Sequence, residues 1–386
     1  MTDDFFSSAL EELERRSLTR RPRVFEACDG RTVTFGGAKY LLFCSNDYLG
    51  LSHDERIAAA VMEGVAKYGF GSGGSRLISG TRPPHAELEA AIARYLRAEA
   101  AVSFGSGYCA NTGIIPAVAG RGDAILADRL NHASLTDGCR LSQADFFRYP
   151  HADTAALEKL LVKTSSARNR WIITDGLFSM DGDAAPLDVI CGLAEKHGAR
   201  VYVDDAHAFG VLGENGRGSA SLCGVEGRID LTVGTLGKAA GGTGAFAVGK
   251  KSVVDYLVNK ARSFIFSTAM PPAAAEGNLK AVEILADCGE RRREFLDSVR
   301  AFGDGLKRLG FAASSESYII PLVIGGAAEA LAAANAFWEK GIFIQAVRPP
   351  AVPEGGARLR LTLSHRQSPQ DREAVLSAIG TIIVGR

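Results

Sequence analysis

Apolar and polar positions alternate along the chain with two different periods. In "SHDERIAAAVMEGVAKYG" (52–69), Ile57, Val61 and Val65 recur at helical spacing. Ser52 and Glu55 just before them form a capping-box pattern, which predicts a helix beginning there. "HAELEAAIARYLR" (85–97) repeats the pattern with Leu88, Ile92, Tyr95 and Leu96. Between helical stretches lie short runs apolar on both faces, at 100–104, 123–128, 170–175, 199–205, 231–235 and 245–249. Runs of this kind predict an α/β fold with a mostly parallel central sheet flanked by helices, whose chemistry gathers at the strands' carboxyl ends. Past about residue 280 the pattern changes to "YIIPLVIGG", a helical run around "EALAAANAFWEKG", "IFIQAV", "ARLRLTLS" and a helix opened by Ser368 and Pro369. The expected organisation is an N-terminal segment over 1–45 packing on the smaller domain, a large domain over 46–280, and a smaller α+β C-terminal domain over 281–386.

Composition narrows the class of function. At 386 residues the chain can bury a sizeable core, and its 46% hydrophobic content is ordinary for a globular protein. Lys plus Arg and Asp plus Glu number 44 each, so no net field draws the chain to nucleic acid or an anionic membrane, and small-molecule chemistry is expected. The seven cysteines (28, 44, 109, 139, 191, 223, 288) include no C-x-x-C pair and read as reduced, mostly buried thiols of a cytoplasmic protein. The start, "MTDDFFSSALEELERR", lacks an apolar leader, and no segment reaches about 18 uninterrupted apolar residues. No spacing of His and Cys suggests a metal site, so none is expected.

Three of the predicted strand ends carry unusual polar residues. "WIITDGLFSMDGD" ends in Asp175 and reaches Ser179, "RVYVDDAHAFGVLG" carries Asp204, Asp205 and His207, and "LTVGTLGK" carries Thr235 and Lys238. No acidic residue occurs between Asp230 and Asp255, so nothing nearby in sequence pairs the charge of Lys238, and its small neighbours would leave room for a ring to approach. A desolvated lysine has a lowered pKa, and its neutral amine makes Schiff bases with aldehydes. Pyridoxal phosphate is such an aldehyde, and its ring nitrogen needs a carboxylate partner, a role open to Asp204. "AAVSFGSGYCANTG" runs from a strand through Gly105, Ser106 and Gly107 into a helix whose first N–H groups suit a phosphate. Each signal alone has a plain structural explanation, such as a surface turn or a helix cap; their joint order along one sheet edge favours the cofactor. A Walker A loop fails, because Thr232 and Ala239 stand where Gly and Ser or Thr are required, and "GSGYCAN" supplies only two glycines of a dinucleotide fingerprint.

"FCSNDYLGLSHD", "GSGGSRLISGT", "HASLTDG", "DGLFSMDGD", "VDDAHAFGVLGENGRG", "GTLGKAAGG", "FIFSTAMPP" and "RPPAVPEGGARLRLTLS" fall in order over most of the chain. Together they resemble the α-oxoamine synthase family of fold-type-I pyridoxal-phosphate-dependent transferases. The resemblance implies a cytoplasmic homodimer with shared active sites that condenses an amino acid with an acyl thioester and releases carbon dioxide. The forms "SNDYLGLS" and "RPPxVPxGxARLRLTLS" favour the member that joins L-alanine to pimeloyl-CoA or pimeloyl-ACP; sister enzymes using glycine, and a catalytically silent protein on this fold, are the alternatives.

Residue by residue, the resemblance implies that Lys238 holds the cofactor covalently, Asp204 contacts the ring nitrogen and His132 stacks on the ring and assists proton transfer. Ser179 and His207 would contact the ring's phenolic oxygen, and Gly107, Tyr108 and Thr235 would seat the cofactor and its phosphate. Thr268 would reach the phosphate of the neighbouring subunit. For the substrates it implies Arg360 as the carboxylate clamp, with Asn46, His132 and Arg20 lining the site. Arg20 lies in a cluster with Arg21 and Arg23 for which a solvated basic turn is the alternative, and Arg358, on the same strand face as Arg360, reads as a solvated surface residue. Ala351 stands where the family pattern has threonine, so a hydroxyl contact to substrate is absent there.

Overall fold

The computed structural model describes residues 2–311 and 317–385. The described residues divide into two compact units. The larger comprises Leu49–Ser179 and Ala184–Arg292; the smaller comprises the residues up to Tyr48, Met180–Asp183 and those from Arg293 onward. The division near the carboxyl side falls at Arg292/Arg293 and not near 280. Helix Pro272–Asp287 stays in the larger unit because it packs on helix Glu55–Tyr68 at glycine contacts. A Cβ on Gly64 would lie 2.7 Å from the Ala273 Cα, and one on Gly277 would lie 2.5 Å from a Val61 methyl.

The larger unit is built on a seven-stranded sheet. Its strands are β1 (Ala100–Phe104), β2 (Ala124–Asp128), β3 (Asp145–Tyr149), β4 (Arg170–Asp175), β5 (Arg200–Asp204), β6 (Leu231–Thr235) and β7 (Ala245–Gly249), in the order β1-β7-β6-β5-β4-β2-β3. All pairs are parallel except those of β7, which runs antiparallel to β1 and β6. Phe104 and Thr235 both face Ala245 across β7, so β1 and β6 end at the same edge of the sheet. Alternating residues feed two cores: Ile125, Ile173, Tyr202 and Val233 enter one, and Leu126, Ile172, Val201 and Val203 the other. Helices therefore cover both faces, which is why these strands read as unbroken apolar runs. Strand β3, "DFFRY", was not expected; it lies at the sheet edge, half exposed, where charged residues are tolerated.

Helix Glu55–Tyr68 starts later than the Ser52/Glu55 pattern implies. Leu51–His53 form a short 3-10 turn, and the Asp54 side chain caps the helix by accepting from the Arg56 N–H at 3.1 Å. Its Ile57 is buried, whereas Val65 is exposed and helps line an apolar groove of about 550 Å³.

In the smaller unit, Ile319–Gly325, Ala357–Thr362 and Gln345–Val347 form an antiparallel sheet with Ala357–Thr362 in the centre. Ala27–Cys28, Thr32–Phe35, Ala38–Leu42 and Ile342–Phe343 form a second sheet. "IFIQAV" thus splits at Ile344 and serves both. Ser368 caps helix Pro369–Ile379 in a reciprocal box with Asp371.

Only Cys139 and Cys191 are fully buried; Cys28 is exposed and the other four are intermediate, which corrects the expectation of mostly buried thiols. Among the described residues no helix is long and apolar enough to cross a membrane, and no group of three His, Cys, Asp or Glu side chains is placed to hold a metal ion.

Candidate active site

Parallel pairing brings the ends of β4, β5 and β6 side by side, with Asp175 directly opposite Asp204. The next turns after β5 and β6 carry His207 and Lys238. Lys238 is half-buried, His207 is buried, and Lys238 Nζ lies 2.8 Å from His207 Nε2. A contact this short accommodates one proton between the two nitrogens, because an ammonium and an imidazolium would oppose donor to donor.

The glycines following Lys238 pack closely on neighbouring segments of the protein. Gly241, at φ 66°, packs against the backbone of Leu51 and Ser52, and a Cβ on Gly242 would collide with the Asn278 amide. The turn closes through a hydrogen bond from the Gly241 N–H to the Lys238 carbonyl, at 2.8 Å.

Asp204 is 5% exposed. Its Oδ1 accepts from the Ala206 N–H at 3.0 Å and its Oδ2 from the Asn111 Nδ2 at 2.6 Å. A carboxylate has about four acceptor positions, so capacity for a ring N–H remains. Burial pushes the Asp175 carboxyl well above the usual carboxylate range, with the Asp204 charge adding to it. Asp175 Oδ2 accepts from the His132 backbone N–H at 2.7 Å, while Asn131 spans the Ile173 carbonyl and the Asp175 N–H. These bonds dock the His132 loop on the end of β4.

His132 caps helix Ala133–Leu141 and is itself exposed. Partial desolvation pushes its imidazole below the ordinary histidine value; nearby Asp204 opposes this and Lys238 adds to it. Helix Gly107–Val118 starts at the same sheet edge, capped by Ser106, which accepts from the Cys109 N–H at 3.1 Å. Gly105 and Gly107 have open space where a Cβ would stand. Tyr108 is exposed, with its hydroxyl donating to Asp137. Thr235 donates to the Gly244 carbonyl at 2.9 Å, Ser179 is half-buried in the loop after β4, and Thr268 is exposed and bridges Ser75.

Pyridoxal phosphate fits this donor set. A buried carboxylate, a lysine amine, an exposed imidazole face and the first-turn N–H groups of a glycine-started helix are the partners that its ring nitrogen, aldehyde, ring and phosphate require.

The remaining expected residues belong to the smaller unit. Arg360 is buried and donates to Asn46 Oδ1 at 3.1 Å; Asn46 Oδ1 also accepts from the Tyr48 hydroxyl. Arg358 is not solvated: it is 7% exposed and ion-paired to Asp181 at 2.6 Å, because Ala357–Thr362 is a central strand with both faces covered. Arg20 donates to the Pro349 carbonyl at 2.7 Å, so its guanidinium holds the loop that carries the exposed Ala351. Arg23 stacks on Trp338 at 4.4 Å, and Arg21, like Arg20 and Arg23, is exposed.

Asn111 and Ser134 were not singled out from sequence, and Asp175 was noted there as a strand-end acid with no role assigned. Asn111 is fully buried one helical turn after Gly107, a placement that amphipathic spacing assigns to the core. A buried amide in an apolar helix is the signal that would have found it.

The aminotransferase class I and II family model matches residues 38–379. Across 381 aligned residues, spanning 97% of both chains, the sequence is 48% identical to 8-amino-7-oxononanoate synthase from Geobacter metallireducens. The fold is similar to serine palmitoyltransferase from S. paucimobilis solved with PLP, at a TM-score of 0.93 and 30% identity over 99% of this chain and 97% of that one. It is also similar to 8-amino-7-oxononanoate synthase from Francisella tularensis, at a TM-score of 0.78 and 28% identity over 90% and 98%. The strand-end lysine, the buried carboxylate and these full-length likenesses agree: the chain belongs to the aminotransferase class I and II family, as a pyridoxal-phosphate-dependent member on the 8-amino-7-oxononanoate synthase branch.

Proposed function

We propose that the protein condenses L-alanine with a pimeloyl thioester, of CoA or acyl carrier protein, to give 8-amino-7-oxononanoate, carbon dioxide and the free thiol carrier, a step of biotin synthesis. The observation that carries this is the near-full-length 48% identity, taken with a lysine amine, a histidine and a buried aspartate at adjacent strand ends. Pyridoxal phosphate, when bound, supplies an electron sink for negative charge at the amino acid Cα. Lys238 binds it and, once displaced by the amino acid, takes the Cα proton and returns one after decarboxylation. His207 lies within hydrogen-bond distance of Lys238 and receives or returns that proton. Asp204 holds a proton at the ring nitrogen, where its buried negative charge is least screened. His132 stacks on the ring, and Ser179 orients its phenolic oxygen together with His207. Gly107, Tyr108 and Thr235 seat the phosphate. Arg360 takes the amino acid carboxylate, supported by its burial and its Asn46 bond. Arg20 acts at the pimeloyl end through the loop it holds.

The active form is proposed to be a homodimer in which Thr268 reaches the neighbouring phosphate. Large exposed apolar side chains support it: Phe70, Ile78 and Phe266 are 86%, 85% and 69% exposed, and a subunit interface would cover such residues. Thiol release from pimeloyl-CoA and pimeloyl-ACP, measured with alanine, glycine and serine in parallel, tests the function. Alanine-dependent release is expected, and release with glycine or serine alone would move the protein to a sister activity.

A further inference from the structure

Asn111 lies under the candidate site and is itself expected to meet neither substrate nor ring, yet it joins two groups that do. Its side chain is fully buried. Its Nδ2 donates to Asp204 Oδ2 at 2.6 Å and to Ser134 Oγ at 2.8 Å, and its Oδ1 accepts from the Tyr202 hydroxyl at 2.6 Å. Ser134 Oγ lies 2.7 Å from His132 Nδ1, and the Ser134 backbone N–H donates to the same nitrogen at 3.3 Å.

The directions of these bonds follow from donor chemistry. Both Nδ2 hydrogens of Asn111 are used, one on each acceptor. Because Asn111 donates into Ser134 Oγ, the serine's own hydrogen is free to point at His132 Nδ1. A backbone N–H can only donate, so Nδ1 carries a lone pair, and the neutral imidazole has its hydrogen on Nε2, the nitrogen not engaged by Ser134.

We propose that Asn111 is a positioning residue that orients the Asp204 carboxylate and, through Ser134, holds His132 as its Nε2–H tautomer, so that one amide sets both groups flanking the cofactor ring. Removing the Nδ2 donors would let the Ser134 hydroxyl rotate and accept from a Nδ1–H, which leaves only the longer bond from the Ser134 backbone N–H to favour the Nε2–H tautomer and so weakens the preference. It would also leave Asp204 buried with one bond fewer. An aspartate at 111 is close in size to asparagine and reverses the network: the new carboxylate accepts from the Ser134 hydroxyl and repels Asp204.

The proposal rests on the pyridoxal phosphate reading for its Asp204 half; its His132 half needs no cofactor. Full-length protein with [15N]histidine is followed by NMR without and with cofactor, and pyridoxal phosphate affinity is measured by absorbance titration. Asn111→Asp is expected to weaken cofactor binding by roughly 10- to 100-fold, the range for losing a hydrogen bond to a charged group, and to move His132 from Nε2–H towards Nδ1–H. Ser134→Ala keeps the Asn111–Asp204 bond. It should lose less affinity than Asn111→Asp while giving a mixture of tautomers, and it carries the histidine measurement should Asn111→Asp fail to fold. Wild-type affinity in Asn111→Asp, or an unchanged His132 tautomer in Ser134→Ala, overturns the proposal. Failure of the wild-type protein to take up pyridoxal phosphate defeats the cofactor reading instead, and the histidine signals still decide the network.

Discussion

Lys238 sits where a single substitution separates cofactor attachment from the rest of the site. Lys238→Ala is expected to bind pyridoxal phosphate without a covalent bond, so denaturation should release all of it, whereas the wild-type protein retains cofactor after borohydride reduction. Retention in the variant would sink the assignment. Asp205, beside Asp204, offers a second test. Burial raises its carboxyl to about 6, against bonds from Ser219 that pull it down. Its unfolded value is about 3.9, so between about pH 4 and pH 6 the folded protein binds the extra proton and stability from this group falls as pH rises. Asp205→Asn, which keeps an acceptor for the Ser219 N–H, should flatten the melting temperature against pH across that window; an unchanged slope would count against it. Lys238, Asp204 and His207 stood out in the sequence because strand-end polar residues and isolated charges break the local pattern, whereas His132 was named only through the family resemblance. Asn111 did not stand out, nor did the bond from His132 to Asp175, because the partners lie on other elements: Asp204 is 93 positions from Asn111, and His132 is 43 from Asp175.

Helices and strands show what a period can and cannot report. All the apolar runs of the central sheet formed strands, since a strand covered on both faces has no polar side to blur its pattern. The edge strand β3 escaped notice for the opposite reason, and "IFIQAV" carries no mark of serving two sheets. Spacing is equally silent on how close two helices come. Glycine makes the difference measurable: Gly64→Ala pushes a Cβ into the Ala273 backbone and should cost roughly 1–3 kcal/mol by overpacking. Gly192, in helix Leu187–His197 with open space around it, should gain about 0.5–1 kcal/mol on change to alanine. Urea denaturation of both variants checks the pair, and equal signs would contradict the packing argument.

For the molecule as a whole, the proposed homodimer predicts a particle of about twice 40.8 kDa in solution. Sedimentation should show it at micromolar concentration, and Phe70→Asp with Ile78→Asp should shift it to the single-chain mass; a wild-type monomer would contradict the dimer. The pairing of Ala38–Leu42 with Ile342–Phe343 has a consequence in time. The two strands are separated by about 300 residues, and synthesis at roughly 5–20 residues per second puts about 15–60 s between their appearances. Through that interval the early hairpin's bonding edge has no partner from its own chain. A nascent chain arrested before residue 342 should therefore be cut by protease near residues 27–42, while one extended past the Ala357–Thr362 strand and released should resist. A strand made late is what closes one made early.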